Sequence, residues 1–153
     1  MRITSAAIIF LAALSTVASA ADTPHTPARG SPERQSICDG ARAYVIKNYA
    51  TSAKLPQSVV FRIERIEVLG NYCSFEAIPV FKDGSAISPA YIQDIVFNLC
   101  LKRTNHLWRV IYDLSRTDVP DNAELRQIWQ AFPKEFPLAL LPTFWRDLFH
   151  GFE

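Results

Sequence analysis

Residues 95–114, IVFNLCLKRTNHLWRVIYDL, hold two runs rich in β-branched and aromatic residues on either side of a polar break at Thr104, Asn105 and His106. Two such runs around a short polar loop signal a β-hairpin. With Asn105 and His106 as the loop residues, Phe97, Leu99 and Leu101 stand opposite Leu114, Tyr112 and Val110, so one face is apolar throughout. Asn98, Cys100, Lys102, Arg109, Ile111 and Asp113 then make a mixed second face, as in an antiparallel sheet fully covered on one side only.

Upstream, residues 58–69 alternate at Val59, Phe61 and Ile63 and then change phase to Ile66 and Val68, which predicts a strand with a bulge near Glu64 and Arg65. Gly70-Asn71 marks a turn, and residues 72–81 form the next strand, with Cys73, Phe75 and Ala77 on one face. Pro79 belongs at an edge or a bulge, because proline has no N–H for a ladder bond. Lys82-Asp83-Gly84-Ser85 is a turn, and residues 87–93 are a loop into the hairpin. Before the sheet, Ser31-Pro32-Glu33 reads as a helix start, with a capping hydroxyl, a proline suited to the first turn and an acid that complements the dipole. Ile37, Ala41, Tyr44, Val45 and Asn48 give that helix one packed stripe, and Leu55-Pro56 ends it.

After Leu114 the pattern changes. Residues 115–120 are a connector, and Asp121 with Glu124 forms a capping box for a helix whose stripe is Leu125, Ile128, Trp129 and Phe132, stopped by Pro133. Phe136-Pro137 and Leu141-Pro142 break the next stretch, and Thr143 caps a last short helix carrying Phe144, Trp145, Leu148 and Phe149. The whole predicts an α+β fold: an N-terminal helix packed on a curved four-stranded antiparallel sheet, followed by short C-terminal helices. The order of one helix and four antiparallel strands, with Leu107-Trp108-Arg109-Val110 after a polar turn, resembles the cystatin-like and NTF2-like cones.

The N-terminus adds a compartment. Met1 and Arg2 precede an apolar run from Ala6 to Val17, and Ala18, Ser19 and Ala20 supply the small-x-small pattern of a signal-peptidase site. Residues 1–20 therefore read as a signal peptide cut after Ala20, with a periplasmic or secreted product. The run is short and alanine-rich for a span of about 20 strongly apolar residues, so no stable membrane anchor is expected. Residues 21–30 read as a flexible leader containing His25, residues 31–119 as the helix-plus-sheet domain, and residues 120–153 as an aromatic-rich helical segment packed on it. The signal carries one of the 16 basic residues, so the mature chain balances its 15 acidic ones. Neutrality without basic clusters argues against nucleic acid, whose binding rests on phosphate neutralisation.

Cys38, Cys73 and Cys100 would enter an oxidising compartment, where three cysteines suggest one disulfide and one thiol. All three pairings stay open, although the simplest register sets Cys73 opposite Leu101 and turns Cys100 to the other face. The alternative is three thiols packed as small apolar side chains.

No pattern of strong chemical specificity is present. His25, His106 and His150 fall in a leader, a turn and the C-terminal tail, which does not suit a nucleophile–histidine pair, and the cysteines are too widely spaced for a metal site. Glu76, Asp94 and Asp113 are the acid–base candidates that a closed cone could raise toward neutral pKa. The hairpin register sends Glu76 and Asp113 to the mixed face, where solvation or pairing with Arg62, Lys102 and Arg109 is the simpler reading. No cofactor is expected.

Gly30-Ser31-Pro32-Glu33-Arg34-Gln35-Ser36-Ile37, Gly70-Asn71-Tyr72 before a strand, and Trp108-Arg109-Val110 followed by Thr117-Asp118-Val119 resemble an uncharacterised group of small secreted bacterial proteins over residues 30–119. That resemblance implies export and the cone fold, and no activity. Two functions follow. The first is an exported, non-catalytic binding protein, such as an inhibitor or immunity protein, with a protein partner or a second copy of itself. Its interface candidates are Phe136, Leu140, Phe144, Trp145 and Phe149, which alternatively fold over the wet face of the sheet. The second is a small-ligand carrier or NTF2-like enzyme using a pocket between the first helix and the sheet, lined by Tyr44, Phe61, Phe75, Leu99 and Trp108. By default these five are ordinary core.

Overall fold

The computed structural model describes residues 23–53, 60–85, 96–115 and 119–152. The expected signal peptide over residues 1–20, Leu55-Pro56, the expected loop 87–93, Asp94 and Thr117-Asp118 lie outside the described residues. Helix α1 (Pro32–Ala53) is followed by β1 (Val60–Leu69), β2 (Tyr72–Val80), β3 (Phe97–Thr104) and β4 (Leu107–Asp113), then α2 (Asn122–Ala131) and α3 (Thr143–Phe149), with short 3-10 turns at Leu138–Leu140 and His150–Phe152. The sheet is antiparallel with strand order β1-β2-β3-β4. This is the α+β layout that the hydrophobic pattern predicts.

The starts of α1 and α2, the hairpin loop and the β1 bulge have a physical basis in the structure. Ser31 accepts the Arg34 N–H at its hydroxyl (3.2 Å) and the Gln35 N–H at its carbonyl (3.0 Å), which satisfies free amides of the first turn of α1. Asn105 and His106 both take positive φ, 50° and 65°, as the tightest hairpin loops require. The β1 register shifts between Ile63 and Arg65, so Phe61 and Ile63 before the bulge and Ile66 and Val68 after it all join the α1 side. Asp121 accepts the Ala123 and Glu124 N–H groups while Glu124 returns to the Asp121 N–H, completing the box at α2. Among the described residues, Pro79 pairs with Phe61 of β1 and sits beyond Ala77, the last β2 residue in register with β3.

Four local expectations change. The α1 stripe is Ile37, Ala41, Val45 and Tyr49; Asn48 is exposed and donates to the Tyr44 carbonyl instead. Pro142, not Thr143, occupies the N-cap of α3, and the Thr143 hydroxyl accepts from Arg146. The leader is tied down. His25 exchanges two 2.9 Å backbone bonds with Val68, Arg34 donates to the Pro27 carbonyl, and Pro27 is buried. The largest change is a second bulge, in β4. Leu101 faces Val110 as expected, but Cys100 then faces Tyr112 and Leu99 faces Asp113. The slip sends Tyr112 and Leu114 away from α1 and turns Asp113 toward it.

The sheet thus carries a core on each face. On one, Ile37, Ala41 and Val45 of α1 pack on Cys73, Phe75, Ala77, Phe97, Leu99, Leu101 and Trp108. On the other, Phe132, Phe136, Leu140, Leu141, Trp145 and Phe149 cover Cys100, Leu114, Ile111, Tyr112, Leu69 and Tyr72. Burying each such side chain contributes about 1.5–3 kcal/mol, so the tail is part of the domain.

Candidate functional site

The concavity best suited to a partner lies between α1 and β4. Turn after turn of one side of α1, including Pro32, Ser36, Gly40, Tyr44 and Lys47, forms one wall, and Leu107, Trp108, Arg109 and Val110 form the other, enclosing about 690 Å³. Position 40 sets the spacing. A Cβ there would fall 2.4 Å from the Trp108 carbonyl oxygen, so only glycine lets the helix lie this close to the strand. Glycine inside a helix costs about 1 kcal/mol relative to alanine, and this close approach is the packing reason for it. β4 is a terminal strand, and the outer edge of Leu107–Val110 makes no backbone hydrogen bond to another described element. Leu107 at the rim is 56% exposed.

The charges at the groove are unevenly committed. Asp39 is held by Arg42 at 2.6 Å. Lys47 and Arg109 make no ion pair among the described residues. Behind the wall, the Arg103 guanidinium lies 5.3 Å from the Trp108 ring and 4.0 Å from a Glu33 oxygen, which holds the indole in place from the hairpin side.

A second polar constellation lies where α1 passes the β4 bulge. Tyr44 and Tyr49 donate to one oxygen of Asp113 at 2.9 and 2.6 Å, and the Ser115 N–H (3.0 Å) and hydroxyl donate to the other. With both oxygens occupied, this carboxylate works as a clamp between helix and strand rather than as a free base. Asp113 therefore does not stand on the mixed face as the hairpin pattern predicts. Glu76 does point away from α1 and stands opposite Arg65.

The residues named from the pattern divide sharply. Phe75, Leu99 and Trp108 are buried core, and Phe61 packs edge-on against Phe75 and Phe97. These rings pack between α1 and the sheet, and among the described residues Tyr44 and Trp108 of the five line a cavity, the external groove between α1 and β4. Of the interface candidates, Phe136, Leu140, Trp145 and Phe149 are buried in the second core, and only Phe144, 47% exposed, meets solvent. They cover the sheet. Gly40 and the β4 edge went unread in the sequence; the one available signal was a glycine set within a helical stripe.

Cys38, Cys73 and Cys100 are free thiols in the structure. Burial pushes the Cys73 and Cys100 thiols far above their ordinary range and raises Cys38 as well, partly offset there by Arg34 and Arg42. In the folded protein burial thus favours the protonated thiol at each, most strongly at Cys73 and Cys100, which suppresses their nucleophilic character there. Among the described residues, no three His, Cys, Asp or Glu side chains gather as metal ligands, and no helix is long and apolar enough to cross a membrane. No family model, curated protein or solved structure matches the chain.

Proposed function

We propose that this chain is an exported, non-catalytic binding protein that engages a protein partner through the α1–β4 groove, in the manner of an inhibitor or immunity protein. The observation that carries the reading is the outer edge of β4, which pairs with no other described strand and lies along an open, partly apolar groove, while both faces of the sheet carry a core. An extended segment of a partner adds to such an edge through backbone hydrogen bonds and draws specificity from flanking pockets. Leu107 supplies the exposed apolar anchor. Lys47 and Arg109 favour an acidic segment. Export rests on the pattern of residues 1–20 and on the resemblance to small secreted bacterial proteins. A second copy of the chain is the alternative occupant of the same edge.

The second reading, a small-ligand carrier, moves with the geometry from the cone to the groove, whose volume lies within the roughly 300–1,000 Å³ of small-molecule sites. The test is a photo-crosslinking side chain at Leu107 in the cells that make the protein, with the same group at Phe144 as the control on the tail. One adduct of fixed mass from Leu107 and none from Phe144 supports a protein partner, and an adduct of twice the chain's mass identifies a second copy. No adduct from Leu107, together with a small-molecule mass retained in native mass spectrometry, moves the function to a carrier.

A further inference from the structure

The sheet sorts the three cysteines. Cys73 sits opposite Leu101 on β2 with its side chain in the α1 core, whereas Cys100, opposite Ser74 and Tyr112, is buried in the tail core. Cys38 packs on the α1 core, next to Ile37 and on the side of the helix turned away from the groove. A bond between Cys100 and either of the others would have to pass through the sheet, and disulfide geometry allows only about 4.4–6.8 Å between Cα atoms with the Cβ vectors converging.

We propose that Cys38 and Cys73 are the disulfide-forming pair of this protein, and that Cys100 remains a buried thiol. Both side chains belong to the core between α1 and the sheet, Cys73 buried in it and Cys38 packed against it, whereas Cys100 lies in the core on the opposite face. Cys38, the half-buried member, reacts first. Its thiolate attacks a small disulfide such as oxidised glutathione, giving a mixed disulfide and releasing one glutathione thiolate; the Cys73 thiolate then attacks the Cys38 sulfur and releases the second. Two protein thiols are oxidised, one glutathione disulfide is reduced to two thiols, and the two thiol protons neutralise the leaving thiolates. Because burial keeps Cys73 protonated, the second step belongs to folding, before α1 has closed over β2. The bond would staple α1 to the sheet on the side opposite the groove and leave the β4 edge open, so it complements the binding role without depending on it.

The test is to reduce and unfold the protein, refold it in mixed reduced and oxidised glutathione, alkylate the remaining thiols and map tryptic peptides without reductant. Cleavage at Arg34, Arg42, Arg65, Lys82 and Lys102 puts each cysteine in its own peptide. The expected result is one linked pair containing Cys38 and Cys73, two hydrogens lighter than the sum of its parts, with Cys100 alkylated. The Cys100→Ala variant should keep the link and Cys38→Ser should lose it. Any bond to Cys100, or three alkylated cysteines after refolding, overturns the proposal. Neither result bears on whether a partner exists, so failure here leaves the groove reading standing, and failure to find a partner leaves the bond standing.

Discussion

The two faces of the sheet are closed in different ways. On one, a single helix, Pro32–Ala53, lays down small and aliphatic side chains at Ile37, Ala41 and Val45, each a turn apart, over strands that supply the rings Phe75 and Phe97. On the other, a chain broken by Pro133, Pro137 and Pro142 cannot run a long helix, and it covers the sheet with rings instead. Phe132 lies 5.0 Å from Phe149 and 5.3 Å from Tyr112, and Phe136 lies 5.8 Å from Tyr72. Aromatic side chains bury roughly 150–250 Å² each, so a few of them do what a regular stripe does elsewhere. Regularity and ring size are alternative routes to the same coverage.

If both faces are true cores, the largest losses should be equal in kind. Phe75→Ala and Phe149→Ala should each cost about 3–5 kcal/mol in denaturant unfolding, in one transition, because both rings rest on the same sheet. A variant at Phe149 that unfolded its tail in a separate early step would reduce the second face to an appendage. Next comes the tie between the sheet and the tail. Arg65, turned to that side by the β1 bulge and 25% exposed at its side chain, donates to the Ser74 hydroxyl (3.2 Å), the Leu140 carbonyl (2.6 Å) and Glu67 (2.6 Å). Arg65→Ala should cost about 1.5–3 kcal/mol and should speed hydrogen exchange in the tail more than in α1.

On the opposite face the corresponding change is Gly40→Ala. It should destabilise by about 1–3 kcal/mol through the clash with the Trp108 carbonyl, although alanine at an unobstructed helix position would gain about 1 kcal/mol. A stabilised variant would contradict the close approach of α1 to the Trp108 carbonyl. Smaller still, Tyr49→Phe removes one donor to Asp113 and should cost about 0.5–1.5 kcal/mol, measured by the same unfolding curves. Smallest of all, Phe144→Ser should change stability by no more than about 0.5 kcal/mol, since this ring alone among the expected anchors of the tail is exposed.

The features set by local chemistry were largely legible. Alternation with a phase change disclosed the β1 bulge, Asn105-His106 disclosed the hairpin loop, and Asp121 with Glu124 disclosed the start of α2, because each depends on local chemistry within a few residues. The β4 bulge was not legible. Ile111, Tyr112 and Leu114 are apolar on either register, so nothing local says which face they take, and the answer comes from the tail that needs Tyr112 and Leu114 beneath Phe132 and its neighbours. The error at Asp113 follows from that one slip. The groove was hidden for a related reason: it is made by the distance between two elements, and that distance is set by the absence of a side chain at Gly40. The leader was misread because its bonds to Val68 and Arg34 are made by backbone carbonyls and amides, which composition does not reveal.

The proposed docking at the β4 edge assumes that the second face is covered by a true core, and hydrogen exchange on the intact protein tests that coverage most directly. The expected result is that amides of α2 and α3 exchange as slowly as those of β2 and β3, through the same global opening. Exchange of the α2 and α3 amides within seconds, while β2 and β3 remain protected, would contradict the two-core structure and return Phe136, Leu140, Trp145 and Phe149 to the list of residues free to dock a partner.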